Sequence, residues 1–304
     1  MNNLVIICAI LLLVLLFLKV PVYIAVLSAS AVYFIGTPGM NLSIFAQKTI
    51  SGAEGLSLLA IPFFVCAGIF MNYTGVTKRI MNCCEVLTAR MPGGLAQVNI
   101  LLSTLMGGLS GSSLADAAMQ CKMLVPTMES KGYSKSFSTV ITAASGMVVP
   151  LIPPGVGLII YGCINNISIG KLFIAGIGPG IVLCVTLMIF THFLSKKRGY
   201  LPSRTTKIPV SEKIAAVKPA FLPLLLPIII IGGVRIGVFT ASEAGTVAIV
   251  YAVLLGLLYK ELTLKNVMQG CKETVTTTAS IMLIVAAATC FSWILTKEQI
   301  PQQF

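Results

Sequence analysis

Long apolar runs alternate with short polar segments along this chain, from residue 4 to residue 295. An α-helix rises about 1.5 Å per residue, so a run of about 15 to 22 residues is long enough, or nearly so, to cross about 30 Å of hydrocarbon. The pattern therefore predicts an all-α polytopic membrane protein. The predicted membrane runs are 4–18, 22–35, 57–72, 137–165, 172–195, 220–234, 241–259 and 274–295.

The first run, LVIICAILLLVLLFL, follows MNN, with no basic residue before it and no small-residue cleavage site after it. A removable signal peptide normally has both features. We therefore expect residues 4–18 to be a retained membrane helix.

Two shorter apolar arms, 94–106 and 113–128, are separated by the segment GGLSGSS. Each arm would span only about 20 to 24 Å if helical, which is short for a full crossing. Basic residues flank the pair on both sides, and such residues favour the cytoplasmic face. The arms therefore predict a re-entrant hairpin over 94–128 with GGLSGSS at its tip. The flanking basic residues are Lys78, Arg79, Arg90, Lys122, Lys131 and Lys135.

Composition supports this class, because 57% of the residues are hydrophobic and only 10% are charged, with a mean hydropathy of +0.97. A soluble domain carries about a quarter charged residues. The net charge of +12 resides in the short loops, where it sets orientation in the bilayer, so we expect no nucleic acid partner. Residues 195–219 hold seven cations against Glu212 alone. We therefore place the basic loop 196–219 in the cytoplasm.

Counting outward from this loop gives two series of runs with opposite orientations. The second run of each series, PVYIAVLSASAVY at 21–33 and FTASEAGTVAIVY at 239–251, ends in Val-Tyr after small residues. This match is weak on its own, but with opposite orientations it fits an inverted repeat, which is common among secondary transporters. The first repeat is 1–195. The second, 220–304, is incomplete because the sequence stops before a hairpin of its own.

The hairpin tip is rich in glycine and serine within an otherwise apolar stretch. Glycines permit a sharp turn and close backbone approach, and the serine hydroxyls stand beside carbonyl groups that the turn frees. Such an oxygen cluster suits a hard monovalent cation, and the start of the returning arm favours an anionic group of a substrate. Asp116, in the first turn of that arm, either satisfies local N–H groups or orders the ion site.

A second interruption lies in AASGMVVPLIPPGVGLI, residues 143–159, inside the run 137–165. Its three prolines remove three backbone donors and disfavour helix in the residues before them. We expect a broken helix whose oxygens face the hairpin tip; a proline-kinked packing helix is the alternative. The candidate site residues are Ser110, Gly111, Ser112, Ser113, Asp116, Ser145, Gly146, Pro153 and Pro154. Sodium is expected at Ser110, Ser112, Ser113 and Ser145.

Other features are interpreted as structural. Thr240 and Glu243 predict a capping box, and His192 is expected at the membrane interface. The nine cysteines form no C-x-x-C pair and are expected to act as small hydrophobic residues. The chain has no G-x-S-x-G, H-E-x-x-H or G-x-x-x-x-G-K-[ST] motif, which argues against an enzyme and against an ATP-driven pump. A structural membrane subunit and an intramembrane hydrolase remain as alternatives to a carrier.

Six segments together carry a family resemblance: 58–71, 93–118, 125–133, 141–162, 172–180 and 237–252. They resemble the large membrane subunit of tripartite ATP-independent periplasmic (TRAP) transporters. This resemblance implies an elevator-type carrier in a bacterial inner membrane that imports an organic acid, such as a dicarboxylate, sialic acid or another sugar acid, with sodium ions. It also implies two partners: a periplasmic binding protein that delivers the substrate and a small four-helix membrane subunit.

Carried over by motif, the resemblance places Ser110, Gly111, Ser112 and Ser113 at the tip of the first hairpin, and Ser145, Gly146, Pro153 and Pro154 in the broken helix that faces it. Members of the family continue into a second hairpin and a second broken helix, which residues 1–304 lack. We therefore expect a second sodium site and part of the substrate site to be missing from these residues, and coupled transport to require more than them.

The orientation makes a direct prediction. With an external N-terminus and both hairpin flanks in the cytoplasm, cysteines introduced at Glu85 and Lys131 should resist an impermeant thiol reagent added to intact cells. They should react after the membrane is opened. Efficient labelling of either position from outside would overturn this topology.

Overall fold

The computed structural model describes residues 3–204, 206 and 208–302, and within these residues it contains helices and no strand. Thirteen α-helices follow one another in this part of the chain. They are α1 Asn3–Phe17, α2 Val22–Gly36, α3 Leu42–Ser51, α4 Ala60–Tyr73, α5 Val76–Thr88, α6 Gly94–Ser110, α7 Ser113–Ser130, α8 Lys135–Ser145, α9 Val156–Ile164, α10 Ile169–Lys197, α11 Val210–Arg235, α12 Ala241–Leu258 and α13 Leu264–Lys297. Short 3₁₀ turns occupy Leu56–Leu59 and Ile300–Gln302.

Five helical stretches are long and apolar enough to cross a membrane. They are Leu56–Tyr73, Ile169–Lys197, Val210–Arg235, Ala241–Leu258 and Leu264–Lys297. Shorter apolar helices cover Leu4–Phe17, Val22–Gly36 and Gly94–Ser110. The all-α, multi-pass architecture predicted from the apolar runs is therefore confirmed.

The chain divides into two compact units, one formed by residues up to Leu58 together with those from Val275 onward, and the other by Leu59–Thr274. In the first unit, α1, α2 and the end of α13 enclose an apolar core that contains Tyr33, Phe34 and Ile294. The ring of Phe34 stacks on that of Trp293 with their centroids 5.6 Å apart. Burial of apolar surface and this aromatic pair hold the unit together.

In the second unit, α6 is the central helix. Fourteen of its seventeen residues are buried, including the polar Gln97, Asn99 and Ser103. A helix that is buried on all sides must be surrounded by other elements, and α6 contacts α4, α5, α7, α8, α10 and α11. The apolar core around it includes Leu95, Ile100 and Met128.

Helices α6 and α7 form a helical hairpin. Gly111 ends α6 with a φ of +61°, in the left-handed region that favours glycine, and its N–H donates to the carbonyl of Gly107 at 3.2 Å. Ser112 then caps α7, with its Oγ accepting from the N–H of Ala115 at 3.4 Å. The arms are longer than predicted, Gly94–Ser110 and Ser113–Ser130 instead of 94–106 and 113–128. That both ends lie at one membrane face stays a prediction.

The predicted run 137–165 is two helices, α8 and α9, joined by residues 146–155 without helical structure. Three of these ten residues are prolines, and the Pro153–Pro154 peptide bond is cis. The break is therefore where the sequence predicted it. It removes the alternative of a continuous, kinked packing helix.

Four helices differ from the sequence prediction, and one of them is α13, which begins at Leu264 instead of at residue 274. Helix α11 begins at Val210, inside the segment 196–219 that was predicted to be a loop. Its first turns carry apolar residues at helical spacing, but lysines between them interrupt the sequence, so these turns do not form a long apolar run. Helices α3 and α5 were not predicted, because short helices with several polar residues do not meet a membrane-span criterion.

Helix α11 continues through Pro219, Pro223 and Pro227. Because Pro223 has no N–H, the carbonyl of Pro219 lacks its normal partner in the helix. The hydroxyl of Tyr259, the residue that follows α12, donates to this carbonyl at 3.1 Å. A neighbouring side chain thus satisfies the group that the proline exposes.

Gly68 on α4 provides the closest approach to the hairpin tip. A Cβ at this position would lie 2.6 Å from the backbone oxygen of Ser110, so that α4 or the tip would have to move. We expect Gly68→Ala to destabilise the protein by about 1–3 kcal/mol, as overpacking does. Thermal unfolding in detergent measures this.

Gly232→Ala is the matched control, because a Cβ there meets nothing within 4 Å and alanine favours a helix interior. The control should be neutral or slightly stabilising. Equal melting temperatures for the two variants would contradict the close packing of α4 on the tip.

Candidate functional site

The hairpin tip lies directly against the break between α8 and α9. A Cβ on Gly108 would lie 3.0 Å from the carbonyl oxygen of Pro153, and one on Gly111 would lie 3.2 Å from that of Pro154. Both distances are tighter than ordinary van der Waals contact, and Gly111 also has a positive φ, so glycine favours this close backbone-to-backbone contact. The structure thus brings together the two segments that the sequence selected.

The serines of the tip have different surroundings. Ser110 is buried, and its Oγ has no hydrogen-bond partner among the described residues. Ser112 is exposed and caps α7, while Ser113 is half-buried. The carbonyl oxygen of Ser113 would lie 3.5 Å from a Cβ on Gly146, which places the start of α7 beside the start of the break.

Asp116 is the centre of a buried polar cluster, with 1% of its surface exposed. Its Oδ2 accepts from the Oγ of Ser103 at 2.9 Å and from the Nε2 of Gln120 at 2.6 Å. The same Gln120 nitrogen donates to Ser103 Oγ at 2.7 Å. These bonds join the two arms of the hairpin, since Ser103 is on α6 and the other two residues are on α7.

The cluster continues into α8 through Ser145. Its Oγ lies 3.0 Å from that of Ser103 and donates to the Oδ1 of Asn99 at 2.8 Å. The amide of Asn99 donates in turn to the Oγ1 of Thr142 at 2.6 Å. Ser145, the last residue of α8 before the break, is therefore tied to the hairpin arms through its side chain.

No cation faces the Asp116 carboxyl group in this cluster, whose other members are all neutral. Its Oδ1 and the Oε1 of Gln120 have no hydrogen-bond partner among the described residues. An unpaired buried charge is very costly, and neutral hydrogen bonds offset only part of that cost. The groups available, which are carboxyl, amide and hydroxyl oxygens, are those that hard cations prefer. The described residues contain no group of three or more His, Cys, Asp or Glu side chains arranged for a transition metal.

The sequence prediction missed four members of this cluster. Two pairs are spaced by four residues on their helices, Asn99 with Ser103 on α6 and Asp116 with Gln120 on α7. Residues four apart share one face of a helix, so polar residues at this spacing within apolar arms were a usable signal. The four missed residues are Asn99, Ser103, Gln120 and Thr142.

Two structural predictions are confirmed elsewhere. Thr240 and Glu243 form the predicted capping box at the start of α12. Eight of the nine cysteines are buried or half-buried, as expected of small hydrophobic residues. His192 contacts the ring of Phe193 at 5.7 Å between centroids and lies on α10, away from the polar cluster.

The structure is a multi-pass helical bundle in which a glycine-rich hairpin packs against a proline break. Such discontinuous helices are typical of secondary transporters, where they form the substrate and ion sites. Residues 9–304 match the family model of the tripartite ATP-independent periplasmic transporter, DctM component. The chain belongs to this family. The predicted family is therefore confirmed. Its members are transporter components of the bacterial inner membrane, not enzymes.

Curated relatives agree with this membership. The sialic acid TRAP transporter large permease protein SiaM of Vibrio cholerae is 42% identical over 289 residues, covering 95% of this chain and 67% of the relative. The 2,3-diketo-L-gulonate TRAP transporter large permease protein YiaN of Escherichia coli is 38% identical over 282 residues, which cover 92% of this chain and 66% of the relative.

The sialic acid TRAP transporter permease protein SiaT of Haemophilus influenzae is 37% identical, with 95% of this chain and 47% of the relative covered. The chain thus spans about two thirds of the large permease proteins that it matches, and about half of SiaT.

Ser103 provides a test of the buried cluster. Removing its hydroxyl in Ser103→Ala leaves Asp116 Oδ2 with one donor fewer and Gln120 Nε2 with one acceptor fewer. We expect the free energy of unfolding to fall by about 1–3 kcal/mol, the cost of leaving buried polar groups unpaired. Unfolding in mixed micelles with increasing denaturing detergent measures it.

Ser136→Ala is the matched control, because Ser136 is exposed on α8. This variant should unfold like the wild type. A loss for Ser103→Ala no larger than that of the control would show that the cluster contributes nothing to stability.

Proposed function

We propose that the protein is the large membrane subunit of a sodium-coupled carrier that takes up an organic acid. Family membership supports transport. Two relatives are named for sialic acid and 2,3-diketo-L-gulonate, both of which are acids, and a third, of Halomonas elongata, is named for ectoine. We extend the acid class to this chain. We do not assign an individual acid, because the related proteins are named for different solutes.

The observation that carries the proposal is the contact between the hairpin tip and the break. Non-helical backbone at membrane depth is tolerated only where protein buries it or where it lines a cavity. Here the non-helical tip meets the break at Gly111 against Pro154, and Gly108, in the last turns of α6, packs against Pro153. The cap of α7 accounts for Ser112, but packing does not require a hydroxyl at Ser110, whose Oγ has no hydrogen-bond partner among the described residues. The serine hydroxyls and nearby carbonyls supply the oxygen ligands that a sodium ion requires.

We assign sodium to the space between Ser110–Ser113 and residues 145–154. The buried, unpartnered hydroxyl of Ser110 is the strongest individual candidate, because nothing else in the described residues uses it. Ser112, Ser113 and the carbonyls of the tip complete the proposed set. Ser145 donates its proton to Asn99, and the lone pairs of its oxygen can still coordinate an ion.

Asp116 has a supporting role in this proposal. It holds Ser103 and Gln120, and through Ser103 it reaches Ser145 at the edge of the break. It therefore fixes the arm that begins directly after the tip. The N-terminal end of this arm, α7, also carries the positive end of the helix dipole, which favours a carboxylate of the substrate.

The proposal includes an elevator motion, in which the domain bearing the hairpin slides against a scaffold. It also includes two partners, a small four-helix membrane subunit and a periplasmic protein that delivers the acid. Membership of a family named as tripartite and periplasmic supports the partners. An intramembrane hydrolase gains no support, because neither a histidine nor a lysine bonds to the Ser103–Asp116 pair among the described residues.

Sodium activation of uptake tests the assignment. In a full-length context with both partners in proteoliposomes, Ser112→Ala combined with Ser113→Ala should raise the sodium concentration needed for half-maximal uptake. Each lost ligand to a charged group is worth about 1.5–3 kcal/mol at most, so a shift of about tenfold or more is expected. Loss of the Ser112 cap should lower the free energy of unfolding by about 0.5–2 kcal/mol, so uptake is normalised to the amount of folded protein.

Thr127→Ala combined with Ser130→Ala is the matched control. Both residues are exposed on α7, and each hydroxyl bonds only to a carbonyl of its own helix. The control should keep wild-type sodium activation. Wild-type activation in the Ser112, Ser113 variant would remove the sodium assignment.

A further inference from the structure

The first turns of α11 present an apolar stripe that no other described element covers. Val210, Ile214, Val217 and Phe221 follow one another at spacings of four, three and four residues, so they share one face of the helix. Their exposed fractions are 70%, 61%, 39% and 59%. This segment lies in the basic region 195–219, which the proposed transport function does not use.

Two lysines border this stripe. Lys213 and Lys218 line an open groove together with Ile214, Val217 and Phe221. Neither lysine forms an ion pair with any described residue. The nearby Glu212 is already paired, with its Oε1 2.5 Å from the Nη1 of Arg204. The groove therefore combines an apolar floor with two positive charges that lack a counter-ion in this part of the chain.

The length of α11 places this groove at a membrane boundary. Its 26 residues extend about 39 Å, which exceeds the hydrocarbon thickness of about 30 Å by about six residues. With Arg235 at the far end, the excess falls on the first turns. Lys213 then lies at headgroup level, and the long side chain of Lys218 can extend to the same level.

The apolar stripe also continues into the membrane-spanning part of the helix. Ile228 is 66% exposed and lies two turns beyond Phe221 on the same face. The groove is thus continuous with the part of α11 beyond Phe221, which we expect to face the acyl chains of the bilayer. Anionic lipids attract basic segments at the membrane surface.

We propose that this groove binds an anionic phospholipid, with its phosphate between Lys213 and Lys218 and an acyl chain along Ile214, Val217 and Phe221. The two lysines favour an anionic headgroup by charge complementarity. Because the stripe continues into the membrane-spanning part of α11, a lipid is favoured over a protein segment. The site needs only that the protein spans the membrane. It does not depend on sodium coupling or on the transported acid.

Native mass spectrometry of the full chain in detergent tests this site. Dioleoyl phosphatidylglycerol and dioleoyl phosphatidylcholine are titrated separately, so that the headgroup alone differs. The wild type should bind the first phosphatidylglycerol more tightly than phosphatidylcholine. A lysine near an anionic headgroup contributes about fivefold in affinity, so Lys213→Ala combined with Lys218→Ala should weaken phosphatidylglycerol about 25-fold and leave phosphatidylcholine unchanged.

Lys131→Ala combined with Lys135→Ala is the control, because it removes the same charge from two exposed lysines outside the groove. An equal loss in this control, or equal binding of the two lipids by the wild type, would overturn the proposal. Melting temperatures of both variants should match the wild type, since all four lysines are exposed.

A photo-cross-linking residue at Val217 in cells gives a second measurement. The proposal expects a product with the mass of a phospholipid adduct. A product that consists only of a protein cross-link would show that a partner or another segment of the chain covers the stripe, and would overturn the lipid assignment.

Discussion

Backbone groups that leave a helix inside a membrane protein must still be paired or covered, and this constraint organises the unit Leu59–Thr274. Residues 146–155 contain no helix; local turns pair part of their backbone, as in the Val148 N–H that donates to the carbonyl of Ser145 at 3.0 Å, and neighbouring segments cover the rest. The hairpin tip does so at Gly108 and Gly111, and α4 covers the other side of the tip at Gly68. A Cβ on Gly68 would clash with the backbone of Ser110, and one on Gly108 or Gly111 would force its neighbours to shift slightly. The close packing of the break thus favours these glycines, whatever the transported substrate is.

Prolines show why position decides between a break and a continuous helix. Pro219, Pro223 and Pro227 are spaced by four residues, so the lost hydrogen bonds are separate and share one face of α11. Tyr259 satisfies one freed carbonyl, and the helix continues. Pro153 and Pro154 are adjacent, and a proline restricts the residue before it to extended conformations. Consecutive prolines thus exclude helix where evenly spaced ones only bend it.

Much of the fold and part of the site were predictable from the sequence. Apolar length identified the membrane helices, and glycine, serine and proline clusters identified the tip and the break, because these signals are local. The cluster of Asn99, Ser103, Gln120 and Thr142 was missed, because its members come from three helices and meet only after packing. The first turns of α11 were missed for a different reason: their lysines interrupt the apolar run while leaving the helical spacing intact.

The cluster around Asp116 limits which parts of the site can move separately. Its hydrogen bonds link α6 to α7 at Ser103 and link both to α8 at Ser145. A buried polar group that loses its partner costs about 1–3 kcal/mol, so sliding α8 along the hairpin would cost several such losses together. These hydrogen bonds therefore oppose separate motion of the arms, the tip and the edge of the break. We expect the proposed transport motion to carry α6, α7 and α8 together, with its flexible joints outside this cluster.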